Sequence, residues 1–172
     1  MFTKNTDESI RALAEVALIA QIRRWLGAVA PSSPQGMGDD CAVVDWPKGM
    51  KQILTTDSLS YGQHFDDSVS AHDAGAKLIK RNLSDIAAMG GRPGEALLNL
   101  LCGGDLQTDW LAAFFDGICD ACQEYDLPIV GGDISTLPNG QFTAVLSLTG
   151  YSEKTPLLRQ GAQAGDALYV TG

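Results

Sequence analysis

Apolar positions recur at helical spacing in three stretches of the chain and as short runs in six others. The first stretch predicts a helix from about Asp7 to Leu26, with Ile10, Leu13, Ala17 and Ile22 roughly on one face. Asn5 followed by Glu8 resembles a capping box, and Gly27 supplies the stop. After a Pro/Ser/Gly loop from Pro31 to Gly38, the runs Ala42 to Val44 and Gln52 to Thr56 flank the turn-like Pro47-Lys48-Gly49 and read as paired strands. A polar loop from Ser58 to Ser70 leads to a second helix, Ala71 to Met89, with Ile79, Leu83 and Ile86 inward and Gly90-Gly91 at its end. Glu95 to Leu101 reads as a strand. Thr108 is placed to cap a third helix through Tyr125, with Leu111, Phe114, Phe115, Ile118 and Cys122 as core. Leu127 to Val130, Phe142 to Leu148 and Ala167 to Val170 complete the strands. The order αββαβαβββ, without regular βαβ alternation, predicts an α+β fold.

With 172 residues, 45% of them apolar and 19% charged, the chain has the size and balance of one globular domain. No apolar run reaches the ~18 residues of a spanning helix, and the first ten residues are too polar for a signal peptide, so a cytoplasmic protein without membrane contact is expected. Twelve Lys plus Arg against twenty-one Asp plus Glu gives a net charge of −9, which argues against a nucleic-acid partner. A small anionic ligand stays open, provided metal ions sit between it and the protein. The four cysteines are few and irregularly spaced, as in a reducing compartment. Cys119 and Cys122 form one CxxC inside a helical pattern, which reads as core rather than as a zinc or redox site.

Carboxylates recur where predicted elements meet loops: Asp39 and Asp40 before the first strand, Asp57 in "TTD", Asp85 in the second helix and Asp133 in "GGD". Singly, each has an ordinary role as turn or cap chemistry. As a set, with Gly38, Thr55, Thr56, Gly131 and Gly132 beside them, they suit hard cations, which take one or two carboxylates each plus phosphate and water. Asp85 lies roughly 120° from Ile79 on the helical wheel at ~100° per residue, off the buried stripe and beside Arg81 and Asn82. No GxxxxGK[ST] loop, GxGxxG turn, protein-kinase motif or nucleophile triad is present. Composition and spacing alone reach an acidic, multi-metal phosphate site and stop there.

Taken together, "GDDCAVV", "TTDSLSYGQHF", "NLSDIAAMGGRP", "IVGGD" and "LLRQGAQAGDALYVTG", in this order and spacing, resemble the N-terminal half of the bacterial thiamine-monophosphate kinases, within the aminoimidazole ribonucleotide synthase-like superfamily. The resemblance covers nearly the whole chain from Gly38 onward. It implies that residues 1–172 form the ATP- and Mg²⁺-binding N-terminal domain of such a protein and that the chain stops where the family's C-terminal domain would begin. The implied fold is a mixed sheet packed against helices. The implied activity is ATP-dependent phosphorylation of thiamine monophosphate to thiamine diphosphate by a homodimer whose edge strands pair to close a barrel-like sheet. Carried over position by position, Asp40, Thr55, Thr56, Asp57, Asp85 and Asp133 match Mg²⁺ ligands. Gly132, Asp133 and Arg159 match ATP contacts, and His64 matches a thiamine monophosphate contact. Ile134-Ser135 after "GGD" and the stretch "SYGQ" before His64 depart from the family pattern.

The implied chemistry needs no general base, because the acceptor is already an anionic phosphate oxygen. The obstacle is the meeting of two polyanions, which carboxylate-held Mg²⁺ ions remove. Arg159 offers a forked donor to phosphate oxygens; its plain alternative is a solvated loop arginine, as for His64 it is an exposed loop histidine. Two other functions stay open. One is a sister ATP-using enzyme, although the reactive Cys expected near the N-terminus of a selenophosphate synthase does not precede Cys41. The other is a non-catalytic metal- or nucleotide-binding or dimerisation module. A chain holding only half of the family's site is expected to be weakly active alone.

Overall fold

The computed structural model describes residues 1–37 and 41–170. It contains α1 (Glu15–Leu26), β1 (Lys51–Ser60), α2 (Ala71–Ala88), β2 (Arg92–Gly103), α3 (Thr108–Glu124), β3 (Ile129–Leu137) and β4 (Phe142–Ser152), with 3-10 turns at Thr6–Glu8, Ile10–Ala12 and Gly27–Val29. The four strands form one sheet in the order β1-β4-β2-β3. β4 runs antiparallel to both β1 and β2, and β2 is parallel to β3. The succession β1-α2-β2-α3-β3 does alternate; the returning β4, inserted between β1 and β2, makes the sheet mixed and the fold α+β.

Alternation along the strands gives the sheet two unlike faces. Ile53, Leu59, Ala96, Leu98, Leu100, Ala144, Leu146 and Leu148 are buried on the face that carries α2 and α3. Leu54, Thr56, Leu97 and Asn99 point the other way and are exposed. Behind the buried face, Phe114 of α3 stacks on Trp110 (5.5 Å) and meets Phe142 of β4 edge-on (5.3 Å). The helices cross closely: a Cβ on Gly117 of α3 would lie 1.9 Å from the His72 carbonyl oxygen of α2. α2 and α3 match the sequence expectation to within a residue, although Thr108 supplies no side-chain cap.

Three expectations are corrected. The helix expected from Asp7 begins only at Glu15. The segment before it is held by backbone bonds to residues 104–107, including Ile10 N–H to the Leu106 carbonyl (2.9 Å) and Arg11 N–H to that of Gly104 (3.1 Å). The Asn5–Glu8 pair does form, with Asn5 Nδ2 donating to Glu8 Oε1 (2.8 Å), but it closes a 3-10 turn. Within α1 the buried stripe is Leu18, Ile22 and Leu26, and Ala17 is exposed. Residues 42–44 form no strand, because β1 takes β4 rather than its sequence neighbour as partner. Residues 167–170 are not a strand either: nothing among the described residues pairs with them, and Leu168, Tyr169 and Val170 stand in solvent.

Candidate functional site

The seam between β1 and α2 holds the densest polar network built from the expected site residues. Odd-numbered residues of β1 face the helices, so Thr55 and Asp57 project toward α2 two residues apart. On α2, Arg81 and Asp85 stand one turn apart and face the strand in turn. Thr55 Oγ1 donates to Asp85 Oδ2 (2.6 Å). Arg81 grips Asp57 with both prongs of its guanidinium, Nε to Oδ2 (3.0 Å) and Nη2 to Oδ1 (2.9 Å). Asp57 Oδ1 also accepts from the Ser58 backbone N–H (2.9 Å). Asn82, the next residue on α2, is fully buried; its Nδ2 donates to the Leu78 carbonyl, and its Oδ1 has no partner among the described residues.

The fold divides the remaining candidates. Asp57 shares a row with Leu146, Leu98 and Gly132 across the sheet, but β1 and β3 are opposite edges. Three strand spacings of ~4.8 Å separate them by about 14 Å. Asp133, paired with Asn99, lies on the exposed face and accepts from Ser135 Oγ (2.9 Å). Thr56 is on that face too, its hydroxyl bonded to the Leu146 carbonyl (3.0 Å). Thr55, Asp57 and Asp85 therefore come together, whereas Thr56 and Asp133 face away from them. Asp40 lies outside the described residues.

Gly132 has a packing reason for being glycine: a Cβ there would sit 1.7 Å from the Leu98 carbonyl oxygen. His64 closes the turn after β1, where its Nδ1 accepts from Ser60 N–H (2.9 Å) and its carbonyl accepts from Lys77 Nζ (2.7 Å). In the same loop, the Ser68 hydroxyl and N–H hold the Asp66 carboxyl below the usual carboxylate range. Arg159 is exposed in the segment after β4. The uncovered sheet face forms a groove of about 980 Å³, lined by Leu54, Thr56, Leu97, Asn99, Asp133 and Ser147 among others.

Among the described residues, no three His, Cys, Asp or Glu side chains converge tightly enough to hold a metal by themselves. The Asp57–Asp85 pair fits Mg²⁺ in another way. Its donors are all oxygens, and Mg²⁺ takes one or two carboxylates while phosphate and water fill its remaining positions. The guanidinium on Asp57 is a competing cation at this position, which Mg²⁺ would have to displace in part. The CxxC on α3 does not fit any such role. Cys119 Sγ donates to the Trp25 carbonyl (3.0 Å), and burial pushes the Cys119 and Cys122 thiols up to about 11 and about 12. On the far side of α2, His72 Nε2 bonds Asp120 Oδ2 of α3 (3.0 Å), and that contact raises the imidazole pKa.

The profile of the family "AIR synthase related protein, N-terminal domain" matches residues 38–152. A thiamine-monophosphate kinase from Rhodopirellula baltica is 39% identical over 150 residues, covering 83% of this chain and 47% of that protein. Among solved structures, thiamine-monophosphate kinase from Stenotrophomonas maltophilia superimposes with a TM-score of 0.71 at 34% identity, covering 90% of this chain and 48% of that one. A structure described as AaThiL complexed with AMPPCP and TMP superimposes with a TM-score of 0.65, also at 34% identity, covering 96% and 49%. The chain spans about half the length of the relatives it matches.

Proposed function

The chain belongs to the AIR synthase-related family through its N-terminal domain, and from that premise we propose that residues 1–172 are the ATP- and Mg²⁺-binding domain of a thiamine-monophosphate kinase. The observation that carries this reading is the β1–α2 seam, where two carboxylates and a threonine hydroxyl gather in a fold like that of a relative bound to AMPPCP and TMP. On this reading Asp57, Asp85 and Thr55 hold Mg²⁺ from one side. Asp40 supplies a further ligand, and Thr56 and Asp133, which face away from the seam, hold a separate Mg²⁺ from the exposed face. Gly132, Asp133 and Arg159 contact ATP, and His64 contacts thiamine monophosphate.

Mg²⁺ held by these residues would supply charge neutralisation between the two phosphate-bearing ligands. The protein's own part is positioning. Asp57 and Asp85 are fixed by Arg81 and Thr55, one on the strand and one on the helix, before any ligand arrives. No residue need act as general base, since the acceptor phosphate oxygen is already anionic. Since the chain spans about half the length of the relatives it matches, the proposal includes weak turnover by the 172 residues alone. A cytoplasmic setting, without nucleic acid or membrane, suits the −9 charge; no helix among the described residues is long and apolar enough to cross a membrane.

Calorimetric titration of thiamine monophosphate into the chain, with Mg²⁺ and a non-hydrolysable ATP analogue present, tests the assignment. Saturable heat is expected. Nucleotide binding without thiamine monophosphate binding would favour a sister ATP-using enzyme or a nucleotide-binding module, and binding of neither would favour a dimerisation module.

The same proposal includes a homodimer. The sheet leaves Leu54 (69% exposed) and Leu97 (46% exposed) uncovered, and among the described residues its edges β1 and β3 each have one strand neighbour. Strands of a second copy pairing with these edges would close a barrel-like sheet and cover the apolar residues. Light scattering at high micromolar concentration is expected to give twice the 18.2 kDa chain mass; a monomer would count against it.

A further inference from the structure

Asp57 gives three of its roughly four lone-pair sites to the protein. Oδ2 accepts from Arg81 Nε, and Oδ1 accepts from Arg81 Nη2 and Ser58 N–H. The fork occupies the lone pairs that a divalent cation approaching both oxygens would use, and a guanidinium, always protonated, cannot share them with a second cation. Arg81 and Asp57 are each 31% exposed, so the pair is neither locked in the core nor dissolved in solvent. Asp85, one turn further along α2, has its Oδ2 on Thr55 and no cation within salt-bridge distance among the described residues. The two carboxylates of the seam are thus unequal: one is open to a cation and the other already holds one.

We propose that Arg81 is a positioning residue that keeps Asp57 neutralised and oriented in the resting protein and competes with the divalent cation for it. The inference rests on Asp57 being a metal ligand. A cation taking both Asp57 oxygens would have to displace at least one prong of the fork, and Coulomb repulsion from the guanidinium would oppose any closer approach until phosphate brings its own negative charge. The freed guanidinium then remains on the α2 side of the site, where its planar donors suit phosphate oxygens. Metal binding and nucleotide binding become coupled through one side chain, and the metal alone binds weakly.

The test is Mn²⁺ titration of the 172-residue chain without nucleotide, following the free aquo-ion by electron paramagnetic resonance. It compares wild type, Arg81→Met, Arg81→Lys, Asp57→Asn and the double variant Arg81→Met/Asp57→Asn. Arg81→Met keeps the apolar stem and removes the competing charge, and should tighten Mn²⁺ binding by about three- to tenfold, the range expected for a partly exposed charge-assisted fork. Arg81→Lys keeps the charge but loses the fork, and should fall between. The double variant should bind no more tightly than wild type. Mn²⁺ should also raise the thermal midpoint of Arg81→Met more than that of wild type, which a merely structural arginine would not produce. If Arg81→Met does not fold, Arg81→Lys carries the comparison. Equal or weaker Mn²⁺ binding in the Arg81 variants, with Asp57→Asn still weakening it, would overturn the competition while leaving Asp57 a ligand. Mn²⁺ binding indifferent to Asp57→Asn in both backgrounds would overturn the ligand assignment and the competition together.

Discussion

Phe114→Ala is expected to remove about 3–5 kcal/mol of stability, the range for truncating a buried aromatic. Phe114 is fully buried, stacks on Trp110 and meets Phe115 and Phe142 edge-on. Such aromatic pairs contribute about 0.5–1.5 kcal/mol each beyond area burial. The ring also sits where helix and sheet layers meet, and Gly75 of α2 approaches so closely that a Cβ there would lie 2.0 Å from the Phe114 carbonyl oxygen. The surroundings cannot easily collapse into the space left behind. Against a total stability of about 5–15 kcal/mol, the variant should lie near the threshold of folding. Chemical denaturation should show a lowered midpoint with an unchanged slope. Phe114→Leu should lose clearly less. A loss below about 1 kcal/mol for the alanine variant would mean that the α3–sheet interface is not the centre of the core.

Periodicity made α2 and α3 legible because both bury one continuous stripe against the sheet, so their sequence pattern and packing agree. It failed before Glu15 because Ile10 is buried by a different device. Backbone bonds from Thr3, Ile10 and Arg11 tie this segment to residues 104–106, and long-range pairing of that kind leaves no spacing signal. It failed at 42–44 for a related reason: a hairpin is the default for neighbouring runs, but β4, some 90 residues away, took the place beside β1. In the candidate site, sequence supplied the carboxylates but not their grouping. The helical wheel placed Asp85 off the buried stripe, and the α2–β1 packing then set it on Thr55. Asp57 and Asp133 look equivalent in "TTD" and "GGD". A register shift at Ala96/Leu97 and three strand spacings put them on opposite faces and opposite edges. Arg81 drew notice only as a neighbour of Asp85, since nothing along the chain links it to a strand residue 24 positions earlier.

Asp57→Asn and Asp85→Asn are each expected to weaken Mg²⁺-dependent ATP binding by roughly ten- to a hundredfold, about 1.4–2.8 kcal/mol at 25 °C. Both substitutions keep the side-chain shape, and neither residue is buried, so the fold should survive. What is lost is the anionic oxygen. A neutral amide is a poor ligand for a hard cation, and no phosphate-cradling loop exists elsewhere in the sequence to take over. Asp57→Asn additionally leaves the Arg81 guanidinium without its counter-charge and able to repel the entering ion. The decisive measurement is calorimetry of ATP binding to wild type and to the two variants, each with Mg²⁺ and with chelator, after circular dichroism has shown matched folding. The account predicts strong binding only for wild type with Mg²⁺, and loss in both variants toward the chelator baseline. Undiminished Mg²⁺-dependent binding in both variants would contradict it and move the metal away from the β1–α2 seam.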